Sequence, residues 1–147
     1  MNVTKALNIM KEQGFKYTAK REELLQLFSD EKRYLTAKEV LTSLQKNYPG
    51  MSVDTVYRNL AIFEEMDILE MTELEGEMHF RFSCSTTAHH HHLICLECGK
   101  TREIETCPMD WLNENVDGGF EVTGHKFEIY GMCAECKSIK QKEAAHV

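Results

Sequence analysis

Two Cys-x-x-Cys pairs, Cys95 with Cys98 and Cys133 with Cys136, constrain this chain more than any other feature. Four thiolates at this spacing supply a tetrahedral sulfur set with little reorganisation. A fold that uses them must bring both pairs onto one ion, and the ion such sets hold is structural zinc. Just upstream stand four consecutive histidines, His89 to His92, preceded by a lone cysteine, Cys84. Side chains alternate along an extended segment, so His89 and His91 point one way and His90 and His92 the other. One short strand can therefore feed two metal sites on opposite faces, beside the thiolate site.

Length and charge narrow the classes that can carry such a segment. The 147 residues fit one domain or two small ones. Hydrophobic residues at 42% and charged residues at 28% are the balance of a folded, soluble chain and not of a disordered one. No run reaches transmembrane length and the start lacks the apolar core of a signal peptide, so the expected compartment is the cytoplasm, with cysteines as thiols. A net charge of −7 excludes a generally basic nucleic-acid binder. Residues 1–67 hold ten Lys/Arg against ten Asp/Glu, whereas residues 68–147 hold seven against fourteen. The excess acid lies with the candidate ligands, where bound dications would offset it. The neutral half can still present a local basic face.

That half reads as short helices. Val3, Ala6, Leu7 and Met10 recur at helical spacing, with Gly14 as the stop. Thr18 is placed to cap a second helix carrying Leu24, Leu25, Leu27 and Phe28. Thr36 and Glu39 have capping-box spacing, flanked by Leu35 and Val40 where a hydrophobic staple would sit, and Tyr48-Pro49-Gly50 ends that third helix. Ser52 caps a fourth, whose Val53, Val56, Leu60 and Phe63 form a buried stripe. A hairpin follows: Ile68 to Leu74, a turn near Gly76, then Met78 to Phe82. Helices followed by a hairpin describe a winged helix-turn-helix with the fourth helix as its reader. Its outward face offers Thr55, Tyr57, Arg58 and Asn59 beyond the Ser52 cap, groups able to meet base edges, while Lys16 and Arg21 are placed to reach phosphates or a narrow minor groove.

In the second half, His92 to Cys95 and Lys100 to Glu105 read as strands joined at Cys98-Gly99. Pro108 opens a helix over Met109 to Val116, and Glu121 to Tyr130 reads as a strand with His125, Phe127 and Ile129 on one face. A domain this small gains much of its stability from a bound metal. Cys107, before Pro108, reads as structural and not as a ligand. His79 and His146 show no partner pattern, and spacing alone makes His125 a core histidine.

The ordered motifs GFKYTAKR, TAKEVL, SVDTVYRNL, HHHHLICLECGKTREIE and HKFEIYGMCAEC span nearly the whole chain and resemble the ferric uptake regulator family of metal-sensing repressors. The resemblance implies an α+β fold: a winged helix-turn-helix DNA-binding domain over residues 1–83, then a small α/β dimerisation domain with structural zinc over residues 84–147. It also implies a homodimer that binds palindromic operator DNA when loaded with metal. Iron and peroxide sensors of the family carry a metal-binding histidine where this chain has Tyr34. The arrangement after Cys84 instead resembles the zinc uptake regulators, and a thiolate donor suits zinc better than iron(II) or manganese(II).

Carried over by position, the resemblance puts structural zinc on Cys95, Cys98, Cys133 and Cys136. It puts a regulatory zinc on Cys84, His90 and His92 with an acid from the wing, Glu70, for which Glu73 and Glu103 are the alternatives. It puts a third site on His89, His91, Asp110 and His125. The expected function is zinc-responsive repression of zinc uptake genes, with peroxide or iron sensing in the same fold as the alternative. A zinc-storage module would leave the reader helix unexplained. A zinc enzyme has no positive signal, since the chain has neither HExxH nor an H-x-E paired with P-C-x-x-C.

Overall fold

A computed structural model describes residues 1–83, 91–104, 106–109 and 118–145. The chain divides into two compact units, Met1–Thr86 and Thr87–Val147.

The first unit is built on capped helices. Asn2 caps α1 (Val3–Glu12), its side-chain oxygen accepting from the Lys5 N–H at 2.8 Å. Gly14, at a φ of +83° that disfavours a side chain, turns the chain away from it. Thr18 caps α2 (Ala19–Glu31) through the Arg21 N–H. Ahead of α3 (Ala37–Leu44) the expected reciprocal box is formed: the Glu39 N–H donates to Thr36 Oγ1 at 3.1 Å, and the Thr36 N–H to Glu39 Oε1 at 3.3 Å. Ser52 caps α4 (Val53–Glu65) and presents Val56, Leu60 and Phe63 to the interior.

The hairpin of β2 (Leu69–Leu74) and β3 (Glu77–Phe82) follows. Its two-residue turn, Glu75-Gly76, has both φ angles positive, 52° and 82°, the geometry that matches the twist of paired strands. A two-residue strand, β1 (Leu35–Thr36), adds to the far side of β3, giving a three-stranded sheet in the order β1-β3-β2. Helices and sheet close on one core that includes Phe28, Leu35, Leu60, Phe63 and Phe80. Phe63→Ala, at a fully buried position, should destabilise this unit by about 3–5 kcal/mol, measured by denaturant unfolding followed at helix wavelengths.

In the second unit β4 (His91–Cys95) runs between antiparallel β5 (Thr101–Ile104) and parallel β6 (Glu128–Gly131), followed by helix α5 (Ala134–Ala145). The strand expected over Glu121–Tyr130 is confined to its last part. β4 offers partners only from His92 to Cys95, which pair with Glu128 to Gly131, so residues 121–127 have no ladder to join. Most of the helix expected over Met109–Val116 lies outside the described residues, as do Cys84, His89, His90, Asp110 and His146. No helix among the described residues is long and apolar enough to cross a membrane.

Candidate metal centre

The thiolate quartet is assembled where two chain reversals meet. Cys95 ends β4 and Cys98 closes the turn after it, with the Gly99 N–H donating to the Cys95 carbonyl at 2.9 Å. Cys133 stands at the N-terminus of α5, where the Lys137 N–H donates to its carbonyl, and Cys136 lies in the helix's first turn. The quartet thus sits at the positive end of a helix dipole, which favours the thiolate form. All four sulfurs fall within 4.8 Å of one another, and Cys98 and Cys133 are 3.8 Å apart. A tetrahedral ion with metal–sulfur bonds of about 2.3 Å sets its sulfurs about 3.8 Å apart, the separation of Cys98 and Cys133, so the quartet fits such an ion.

Burial raises the Cys95 thiol, but backbone N–H groups of Cys133, Cys98 and Glu97 directed at the sulfur outweigh it and bring the pKa down to about 6. Hydrogen bonding to Cys133, followed by burial and by the other two sulfurs, pushes Cys136 up to about 12. Four adjacent thiols cannot all ionise without a cation among them; a dication makes all four thiolates at once. Two ion pairs clamp α5 over the knuckle, Lys100 to Glu135 and Lys140 to Glu97, both at 2.6 Å.

The alternation of the histidines is realised at the two that are described. His91 and His92 are both buried, at 6% and 7% exposure, on opposite faces of β4. His92 lies in register with Glu103 on β5 and with Glu128 on β6, so carboxylates flank it on its own face. His91 faces His125, whose Nε2 is 3.1 Å from that of His91. Cys107 joins them, its sulfur 3.3 Å from His91 Nε2 and 3.4 Å from His125 Nε2. No spacing pattern points to this, because Cys107 stands alone, far from either histidine along the chain. Its neighbours come together only once residues 106–109 and 120–127 are folded against β4. His125, read from spacing alone as a core residue, is exposed.

Glu70 belongs to the first unit, half-buried on β2 opposite Arg81, and Glu73 is exposed on the same strand. On α4, Tyr57 and Arg58 are exposed, with the Arg58 guanidinium 3.4 Å from the half-buried Thr55 hydroxyl. Ser52 spends its hydroxyl on the Thr55 N–H. Arg21, expected to reach toward phosphate, is tied inside the unit. It donates to Asn59 Oδ1 at 3.1 Å and to the Lys16 carbonyl at 2.8 Å, with its guanidinium over the Phe15 ring. Asn59 in turn donates to the Thr55 carbonyl, so it braces the helix instead of facing outward. The Lys16 side chain is exposed.

The model of the ferric uptake regulator family matches residues 12–130. The chain belongs to the ferric uptake regulator family.

As a member of that family it is a metal-responsive, DNA-binding transcriptional regulator. It is 46% identical over 137 residues to the ferric uptake regulation protein of Staphylococcus aureus, covering 93% of this chain and 99% of that one. A ferric uptake regulator from Francisella tularensis, solved with iron, superposes with a TM-score of 0.66 at 27% identity over 84% of this chain and 96% of the other. A zinc uptake regulator complexed with zinc and DNA superposes with a TM-score of 0.69 at 24% identity, covering 95% of each chain, and shares the fold.

Proposed function

We propose that this family member is a zinc-responsive repressor, a homodimer that binds palindromic operators when loaded with zinc and represses zinc uptake genes. The observation that carries the reading is Tyr34. The family's iron and peroxide sensors place a metal-binding histidine there. Here a tyrosine, only 4% exposed and covered by the Arg81 guanidinium at 5.7 Å, occupies the position as part of the packed interior. The regulatory donors are then Cys84, His90 and His92 with a carboxylate. Glu70 is the candidate on the wing, and the register of Glu103 with His92 supports Glu103 within the second unit. A thiolate with two imidazoles suits zinc better than the harder iron(II) and manganese(II).

A zinc ion that binds the operator-competent conformation a hundredfold better than its competitors shifts the population toward it by about 2.7 kcal/mol. The second reading, an iron-responsive repressor, is favoured by the name of the 46%-identical Staphylococcus relative. An operator-shift assay against buffered free zinc, iron(II) and manganese(II) decides between them. Zinc should drive binding at the lowest free metal, and activation by iron or manganese at lower free metal would refute the zinc reading.

The exposed face of α4 supports its role as reader. Arg58→Ala should weaken specific operator binding by about 1–3 kcal/mol if Arg58 meets a base edge, with a smaller loss on non-specific duplex. Fluorescence titration of both duplexes measures the difference, and equal losses on the two would show a phosphate contact instead.

A further inference from the structure

Cys107 has no role in the donor sets carried over from the family, and the proposed function leaves it idle. Its surroundings are nevertheless those of a ligand. The three donor atoms of His91, Cys107 and His125 form a triangle with edges of 3.1, 3.3 and 3.4 Å. A tetrahedral ion with metal–nitrogen bonds of about 2.05 Å and a metal–sulfur bond of about 2.3 Å would separate the two nitrogens by about 3.3 Å and each nitrogen from the sulfur by about 3.6 Å. Every edge of the triangle therefore lies within about 0.3 Å of the zinc geometry. The Phe127 ring packs edge-on against the His91 imidazole, with the ring centroids 5.3 Å apart. His91 is buried, Cys107 is half-buried and His125 is exposed, so the triangle opens to solvent on the His125 side.

We propose that His91, Cys107 and His125 form a zinc site in which Cys107 supplies a thiolate. The proposal rests on reading His91 and His125 as metal ligands and is independent of which ion triggers operator binding. It changes the chemistry of that site. Nitrogen and carboxylate donors alone would accept iron(II) or manganese(II), whereas a thiolate in the set biases it toward zinc and other thiophilic ions. Asp110, the carboxylate carried over by position, becomes a candidate for the fourth place and not a necessary donor.

Cobalt(II) is the probe, because sulfur bound to cobalt gives a charge-transfer absorption that nitrogen and oxygen donors do not. The chain has six cysteines, so with zinc retained in the quartet and Cys84→Ser in place, Cys107 is the only thiol left to report. Full-length Cys84→Ser protein, shown by zinc counting to keep its quartet filled, should develop this near-ultraviolet absorption as cobalt is added. The Cys84→Ser/Cys107→Ser protein should not. Cobalt bound without that absorption, or absorption that survives loss of Cys107, overturns the proposal.

A second measurement needs no substitution. Zinc added to the unmodified chain beyond the quartet's equivalent should slow iodoacetamide labelling of Cys107 by about tenfold or more, read by peptide mass spectrometry. Equal labelling rates with and without that zinc would also overturn it. The operator assay reads the proposed function separately: zinc-driven DNA binding with Cys107 unprotected sinks this site alone, and a protected Cys107 without zinc-driven binding sinks only the zinc trigger.

Discussion

Replacing Cys84 with serine is expected to lower zinc-dependent operator affinity by about a hundredfold, on the order of the coupling that metal-linked regulators show, while leaving a folded protein with its structural zinc. A serine hydroxyl stays protonated near neutral pH and is a poor zinc ligand, so the substitution removes the soft donor that distinguishes the proposed regulatory set from an iron site. The remaining imidazoles and carboxylate can still bind a dication, but more weakly and with less preference for zinc, the ion that drives DNA binding under the proposed function. The quartet at Cys95, Cys98, Cys133 and Cys136 supplies four sulfurs of its own, so the structural zinc is expected to stay in place. Anisotropy of a labelled operator at buffered free zinc measures the loss, with zinc counting and sedimentation as controls. Unchanged zinc-dependent binding would remove Cys84 from the regulatory site, and with it the main donor-based argument for zinc over iron.

What the sequence reveals about this molecule depends on how local the determining physics is. The capping box at Thr36 and Glu39, the Ser52 cap and the hairpin turn at Gly76 are decided within a few residues, and each appears where its pattern lies. The quartet is legible for a related reason: each pair is local, and joining the pairs requires only one shared ion. Strand β1 has two residues, too few for any period, and exists because β3 offers it a ladder. Helix α5 has no apolar stripe and is exposed along most of its length, since it is held through its first turn by the quartet and by ion pairs to Lys100 and Glu97. The strand expected over Glu121–Tyr130 fails beyond the reach of β4 because pairing, not propensity, sets its length. Cys107 and Arg21 mark the same limit in side chains. The role of each is set by partners distant in sequence, His91 and His125 for the thiol and Asn59 for the guanidinium.

Cys95→Ser should be more damaging to structure than any other single change to the metal ligands. The first unit holds a core cluster of fifteen buried residues, from Ala6 to Phe80, whereas among the described residues of the second unit the buried apolar side chains are Ile94 and Cys95. Structural zinc contributes about 10–16 kcal/mol in zinc-finger peptides, as much as or more than the roughly 5–15 kcal/mol by which whole domains are stable. With so little apolar interior among its described residues, the second unit should not survive losing its ion. Cys95 is the most enclosed of the four, at 5% exposure, and its sulfur accepts the Cys133 N–H at 3.3 Å. Serine there leaves three thiols facing a donor too weak to complete the set. The expected result is loss of one zinc per protomer and of hydrogen-exchange protection in β4, β6 and α5. Protection in α1 to α4 should persist, because among the described residues the core those helices share contains no metal ligand. A Cys95→Ser protein that lacks this zinc yet keeps β4 and β6 protected would show that packing, not the ion, holds the second unit together.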